Sequence, residues 1–438
     1  MAEELTAETD AAKPRGTSTD AAWSAEDTRH MRRALELAAR GAGHVAPNPM
    51  VGAVIVKDGR VIGEGWHERY GQPHAERNAL AACTEDPRGA TIYVTLEPCC
   101  HHGHQPPCTD ALIQAGVARV VAAARDANPL VAGHGFELLR AAGIEVEHGL
   151  LAAESERLNA AFFKHMRTGL PLVILKYAMT LDGKTAVRRD APARITGDAA
   201  RRRVHAQRGR VGAVMVGIGT ALADDPQLTC RVGEGAAADG IAAGEAPHQP
   251  IRAVVDARLR LPLGSQLVRT VGEAPLVVGT VRSNAATDPD DHAARARALE
   301  DAGAQVIATD PVDGEVDLEA FLRTLARDRG VDSVVVEGGS TLAWSVAAAG
   351  LADRVEAYVA PVLLGGADAP TPLGGAGFPS PAAGLHLENV QVERIGEDIL
   401  VSGDVAGGAL GTKTDASGTN GEGSAAGTWK GASPCSQA

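Results

Sequence analysis

Apolar positions recur every third or fourth residue from Asp27 to Arg40. Met31, Leu35 and Ala38 share one face there, which predicts an amphipathic helix that Gly41 can end. VGAVIV (51–56) and VIGEGW (61–66), joined by Asp58-Gly59, predict a β-hairpin. A helix over 75–83, a strand over 91–96, a helix after Pro106 and a strand over 117–124 follow, then a helix over 135–143 and a strand over 144–149. This alternation predicts one α/β domain over 26–150. A second series begins at PLVILKYA (171–178). Its further strands are expected at 211–217, 251–257, 275–280, 331–338 and 355–364, with helices at 197–209, 317–328 and 340–350. Strands that are apolar along their length and alternate with helices predict a mostly parallel sheet covered on both faces. That sheet defines a second domain over 151–405, with the boundary between 150 and 170. Residues 1–25 and the Gly/Ser/Ala-rich 406–438 have no period and are expected as disordered tails. Residues 234–249 are expected as a flexible surface insert.

Composition narrows the function. A length of 438 residues fits two or three domains. With 3% aromatics, the cores must be filled by Ala, Val and Leu. A net charge of −13 opposes a general nucleic-acid surface, which needs clustered Lys and Arg, although it leaves room for a local basic pocket. No apolar run is long enough to span a bilayer, and the first twenty residues have no signal-peptide core, so a cytoplasmic protein is expected. Three of the six cysteines (Cys99, Cys100 and Cys108) fall within ten residues, which points to a metal or catalysis rather than a disulfide framework.

His74-Ala75-Glu76 stands at a helix start after a Gly/Pro turn. Glu97-Pro98-Cys99 comes downstream, and Cys108 follows Pro106-Pro107. One imidazole and two thiolates suit Zn²⁺ and leave a fourth position for water. Both cysteines are expected near helix N-termini, where the dipole favours thiolate. Two thiolates neutralise much of the metal's charge, so water there needs a nearby base, and Glu76 is the candidate. The order matches the H-x-E…P-C-x-x-C pattern of zinc deaminases, with eight residues rather than two between the cysteines. A purely structural zinc site or a redox cluster is the alternative, but either normally lacks the carboxylate beside the first ligand. Cys100, His101, His102 and His104 are each a candidate for a fourth ligand. Adjacent residues do not easily share one metal, so Cys100 is expected to be a bystander.

APNPMVGAVIV (46–56), GEGWHERYGQPHAE (63–76), YVTLEPCCHHGHQPPC (93–108), KYAMTLDGKTA (176–186), GTALADDPQLTCR (219–231) and VVVEGGSTLA (334–343) occur in this order. Together they resemble the bifunctional deaminase–reductase family of riboflavin biosynthesis over about residues 27–405. The resemblance implies an N-terminal cytidine-deaminase-like three-layer domain followed by a dihydrofolate-reductase-like domain. It also implies Zn²⁺ and NADPH as cofactors and a small phosphorylated pyrimidine as substrate, with neither nucleic acid nor membrane as partner. Assembly into a homo-oligomer is left open.

Carried onto this chain, the resemblance puts Asn48 and His67 on the pyrimidine. It puts Arg208, Leu228, Arg231 and Glu337 on the reductase substrate, with Lys176 in the matching strand. Ala178, Thr196, Thr220, Asp224 and the loop Gly339, Ser340, Thr341, Leu342, Ala343, Trp344 and Ser345 fall on NADPH. For Asn48 the plain alternative is a turn residue, for Arg208 a solvated helix face, and for Asp224 a cap. The chain departs from the family pattern at Cys100 and at His104, where a basic residue would suit the substrate phosphate. It departs again at Pro192 (substrate) and Arg194 (cofactor), where the family has Ser and Trp. Two other function classes compete. A deaminase acting on nucleic-acid bases would need a basic groove with aromatic platforms. A C-terminal half that is only a binding module would bind no NADPH.

Overall fold

Ser24 starts the first helix, α1 (Ala25–Ala38), by closing a capping box: its side chain accepts from the Asp27 N–H, and the Asp27 carboxylate reaches back to the Ser24 N–H. The computed structural model describes residues 23–102, 105–128, 131–188, 194–231, 247–282 and 291–408. Both expected tails and the 234–249 insert lie almost entirely outside the described residues, as do His104 and Pro192.

The first sheet holds β1 (Gly52–Lys57), β2 (Arg60–Trp66), β3 (Thr91–Leu96), β4 (Arg119–Ala124) and β5 (Glu145–His148), in the order β2-β1-β3-β4-β5. β1 runs antiparallel to β2 and β3, and β3, β4 and β5 are parallel. Helix α1 buries Met31, Ala34 and Leu37 on one face against Val54, Tyr93 and Val121. Helices α2 (Ala75–Ala81), α3 (Cys108–Ala115) and α4 (His134–Ala141) cover the other, where Ala79, Leu112 and Phe136 meet Ile55, Ile92 and Val120. The result is the expected three layers. A Cβ at Gly65 would lie 2.3 Å from the Ala79 backbone nitrogen, so glycine there lets α2 rest directly on β2.

Two helices absent from the sequence expectation follow, α5 (Ala152–Leu158) and α6 (Ala160–Thr168). They pack with the first sheet. The Ser155 hydroxyl donates to the Thr95 carbonyl at 2.6 Å, Asn159 bonds both backbone groups of Met50, and Phe162 and Phe163 cluster with Leu96 and Ala124. Residues 151–168, assigned by the sequence pattern to the second domain, thus pack on the first sheet through Ser155, Asn159, Phe162 and Phe163, while Ala160 of α6 joins a core of the second sheet. The Lys164 ammonium on α6 pairs with buried Asp353 of the second sheet, whose carboxylate also accepts from the Val173 N–H.

The second body runs β6 (Leu172–Thr180), α7 (Asp198–Arg208), β7 (Ala213–Gly217), α8 (Ile218–Asp224), β8 (Ile251–Val255), α9 (Gln266–Arg269), β9 (Leu276–Val281), α10 (His292–Asp301) and β10 (Gln305–Thr309). A small hairpin of β11 (Pro311–Val312) and β12 (Glu315–Val316) leads to α11 (Leu318–Arg329), β13 (Ser333–Glu337), α12 (Ser340–Ala348), β14 (Arg354–Ala360), β15 (Leu387–Ile395) and β16 (Asp398–Val405). The nine-stranded order is β10-β9-β8-β7-β13-β6-β14-β16-β15. It is parallel from β10 to β14, as expected, and antiparallel at β16 and β15. β13 slots between β6 and β7, which brings three strand ends and their loops to one crevice. No described helix is long and apolar enough to cross a membrane.

Candidate active sites

The turn before α2 leaves His74 as its N-cap and Glu76 in its first turn. Cys99 lies in the loop after β3, and Cys108 is the first residue of α3. Of the two cysteines, only Cys108 stands at a helix start, contrary to the expectation for both. The Cys99 sulfur nevertheless accepts the Cys108 backbone N–H at 3.4 Å, so α3's first turn serves both. His74 Nδ1 lies 3.4 Å from Cys99 Sγ and 3.4 Å from Cys108 Sγ. Tetrahedral zinc, with Zn–S near 2.3 Å and Zn–N near 2.05 Å, separates nitrogen and sulfur ligands by about 3.5 Å. The trio therefore fits zinc, and all three donor atoms lie within 4.8 Å of one another. Cys100 is not in the group. The hydrogen bond from Cys108, reinforced by His74, holds the Cys99 thiol down to about 4. Glu76 is 3% exposed, and burial, reinforced by the Cys99 charge, pushes its carboxyl up. That suits a group that must hold a proton as well as take one.

Asn48 and His67 face the same cavity. His67 Nδ1 donates to the Pro73 carbonyl (3.2 Å), and its Nε2 accepts from Asn48 Nδ2 (3.3 Å). Burial depresses the imidazole to about 4, so it stays neutral and fixes Asn48. Asp126, Asn128 and Phe162, which no sequence motif singled out, line the same cavity, as does Glu97 of the Glu-Pro-Cys run. Burial, with the nearby Glu97 charge, pushes Asp126 up to about 7. Buried Glu97 accepts from the backbone N–H groups of Asp126, Gly133, Gly135 and Phe136, tying the loop that carries Cys99 to the loop after β4. The readable signal was Asp-x-Asn just past the carboxyl end of β4, the strand beside the one that leads to Cys99.

In the second body, Lys176, Arg208 and Glu337 meet. Arg208 grips Glu337 with two bonds of 2.8 Å, and the Lys176 ammonium lies 3.7 Å from the same carboxylate. Arg208 and Lys176 hold Glu337 down to about 2 against the opposing effect of burial. Arg208 is thus no solvated helix residue. Arg231, nearby in chain and space, bonds Gln227 and Thr229, and Arg208 bonds the Thr229 carbonyl.

The cofactor candidates of the glycine loop follow directly on Glu337, at the end of β13. Gly338 and Gly339 turn at φ +74° and +82° into α12, whose N-terminus has no side-chain cap. The Thr220 hydroxyl is 3.1 Å from where a Gly339 Cβ would sit. An uncapped nine-residue helix behind a glycine turn fits a dinucleotide phosphate. Trp344 packs edge-on against Phe378, and the Gly374 N–H donates to the Ser340 carbonyl at the start of α12. Ala178 packs with Ala199 and Ala200 at the start of α7, beside half-buried Thr196.

For four of the candidates the structure gives a more specific setting. The side chains of Leu228 and Leu342 lie in the hydrophobic cores, so only their backbones can reach a ligand. Arg194 pairs with exposed Asp198. The capping residue of the Asp-Asp pair is Asp225, whose carboxylate accepts from the Gln266 N–H, while Asp224 stays exposed.

Residues 171–401 match the RibD C-terminal domain family, and residues 24–124 match the cytidine and deoxycytidylate deaminase zinc-binding region. The chain is 44% identical over 375 residues to the riboflavin biosynthesis protein RibD of Actinobacillus pleuropneumoniae, covering 86% of this chain and 94% of that one. It is 43% identical over 341 residues to RibD of Escherichia coli K12, covering 78% and 89%. Its structure is similar to Acinetobacter baumannii RibD (TM-score 0.76, 39% identity, 87% and 99% covered). It is also similar to the diaminohydroxyphosphoribosylaminopyrimidine deaminase/5-amino-6-(5-phosphoribosylamino)uracil reductase of Thermotoga maritima (TM-score 0.70, 35% identity, 87% and 99% covered). A chain matched along nearly its full length by these relatives, with a His/Cys/Cys cluster in one half and a glycine turn beside a buried Arg–Glu–Lys group in the other, belongs to the RibD family of riboflavin biosynthesis proteins.

Proposed function

We infer that this protein carries out two consecutive steps of riboflavin biosynthesis. The first is hydrolytic deamination of the diaminohydroxyphosphoribosylaminopyrimidine. The second is NADPH-dependent reduction of its ribosyl group to ribityl. The observation that carries the reading is the His74–Cys99–Cys108 trio with buried Glu76 in the same cavity.

His74, Cys99 and Cys108 would hold zinc, which supplies a Lewis acid that acidifies water at its open position. Glu76 takes a proton from the attacking water and passes it to the amino group, which leaves as ammonia. Asn48, oriented by neutral His67, hydrogen-bonds the pyrimidine, and Asp126 and Asn128 line the rest of its cavity.

The Gly339–Ser345 turn and Thr220 would hold NADPH, which would supply the hydride. Arg208 and Arg231 bring positive charge to the phosphorylated substrate. Lys176 and Glu337 stand where the opened sugar is reduced and can manage the accompanying proton. We place the division between the activities near residue 170, because α6 supplies Phe162 to the deaminase cavity. The substrate is a free small molecule rather than a nucleic acid, the compartment is the cytoplasm, and the reading is compatible with a homo-oligomer.

The test supplies purified, zinc-loaded protein with the diaminopyrimidine ribosyl phosphate, with and without NADPH. Ammonia should be released in both cases, and NADPH should be oxidised only as deaminated material accumulates. No ammonia release would refute the deaminase reading. Ammonia release without NADPH oxidation would leave the C-terminal half as a binding module.

A further inference from the structure

Lys176 sits on the middle strand of three, β13-β6-β14, and its direct register partners are both glutamates: Glu337 on β13 and Glu356 on β14. Residues in register on adjacent parallel strands, about 4.8 Å apart, point to the same face. Two consecutive residues of α7 cover that face. Arg208 takes Glu337 with two 2.8 Å bonds, and Gln207 Nε2 donates to Glu356 at 2.9 Å. Lys176 therefore stands in register between two glutamates, each bonded by one of two neighbouring residues of one helix. Resting on the reading of Lys176, Arg208 and Glu337 as the reductase substrate site, we propose that Glu356 is a positioning residue that keeps Lys176 an ammonium and holds it central on the sheet face.

The groups around Lys176 are few. Glu337 faces it from β13, Glu356 and the Tyr358 ring (5.7 Å from Nζ) from β14, and Arg208 from α7. Burial pushes the Glu356 carboxyl up, and Arg354 on its own strand, Gln207, Lys176 and the charge of Arg203 on α7 oppose this by favouring its ionised form. Burial pulls Lys176 below the usual lysine range. Glu337 opposes this, Arg208 adds to it, and Glu356 supplies the second opposing charge. Glu337 alone is mostly committed to Arg208. Without Glu356, two cations would share one carboxylate, and the ammonium would lose its proton more readily.

The test is Glu356→Gln in the full-length, zinc-loaded protein. Gln keeps the shape but removes the charge, and loss of a nearby opposite charge lowers a lysine's pKa by about one unit. The alkaline limb of the reductase pH–rate profile should move down by about one pH unit. Binding of the deaminated substrate without NADPH, followed by calorimetry across the same pH range, should weaken over the same interval. Glu356→Asp should restore the limb most of the way. Ammonia release in the same preparation serves as the folding control. Lys176→Met separates the two layers of the argument. If it keeps full reductase activity, the site reading and the proposal fall together. If it is inactive while Glu356→Gln keeps the wild-type limb in both measurements, Glu356 is merely structural and the proposal alone falls.

Discussion

Replacing Glu76 with Gln tests the deaminase mechanism at its centre. The side chain is 3% exposed in the first turn of α2, and Gln fills the same space without the ionisable group. General acid–base catalysis typically contributes ~10²–10⁴-fold, equivalent to about 3–5 kcal/mol of barrier, and no other carboxylate follows a ligand at the start of the same helix. Ammonia release should therefore fall by ~10²–10⁴-fold, with one zinc retained per chain through His74, Cys99 and Cys108. Burial raises the Glu76 pKa, so its ionised form destabilises the folded, metal-free protein at pH values above the unfolded carboxyl's range. The chelated variant should melt higher than chelated wild type at pH 7, a gain in stability coupled to a loss of turnover. Reduction of already deaminated substrate should be unchanged. Coupled ammonia detection, metal analysis and calorimetry together decide the matter. Wild-type ammonia release with zinc in place would refute the proton-transfer role. Loss of the zinc would make Glu76 a ligand, and loss of reduction in a folded protein would mean that the two sites are coupled.

Cys108→Ser should lose or weaken zinc and Cys100→Ser should keep it, as read by metal analysis; the reverse pattern would overturn the ligand set. NADPH should be preferred over NADH in reductase kcat/KM, and equal values would refute the preference. Glu337, held at about 2 against an ordinary 4.5, contributes about 3 kcal/mol of stability that is fully present above pH 4.5 and lost as pH falls toward 2. Urea unfolding should show that loss in wild type. Glu337→Gln should flatten it while also slowing NADPH oxidation and leaving ammonia release intact; an unchanged acid slope would mean that the Arg208 pairing contributes little.

The deaminase site was legible because its chemistry is local: His74 with Glu76, Cys99 after a proline, and Cys108 at a helix start. The central strands were legible because burial on both faces makes them apolar throughout, as at Val334–Val336. The edge hairpin β15–β16 was not. LENVQVERI leaves most of its residues exposed and interleaves charges, so it carries no buried run. Helix α5, AAESERL, has too few apolar residues to show a face, and Asn159 breaks the period before α6. Glu97 and Glu356 were invisible for a different reason. Each acts through partners far away in sequence, Gly133–Phe136 for one and Gln207 for the other, and no spacing encodes such a meeting.

Helix α6 has the further effect of making the fusion of the two enzymes architectural. Phe162 is part of the pyrimidine cavity's wall, while two residues later Lys164 is anchored in the reductase through Asp353. Nine residues thus serve as cavity wall and as hinge pin at once. A gene that split this protein would have to duplicate or reinvent that helix. Natural single-activity versions of such a deaminase should carry their own substitute for it, rather than simply ending where the first sheet ends.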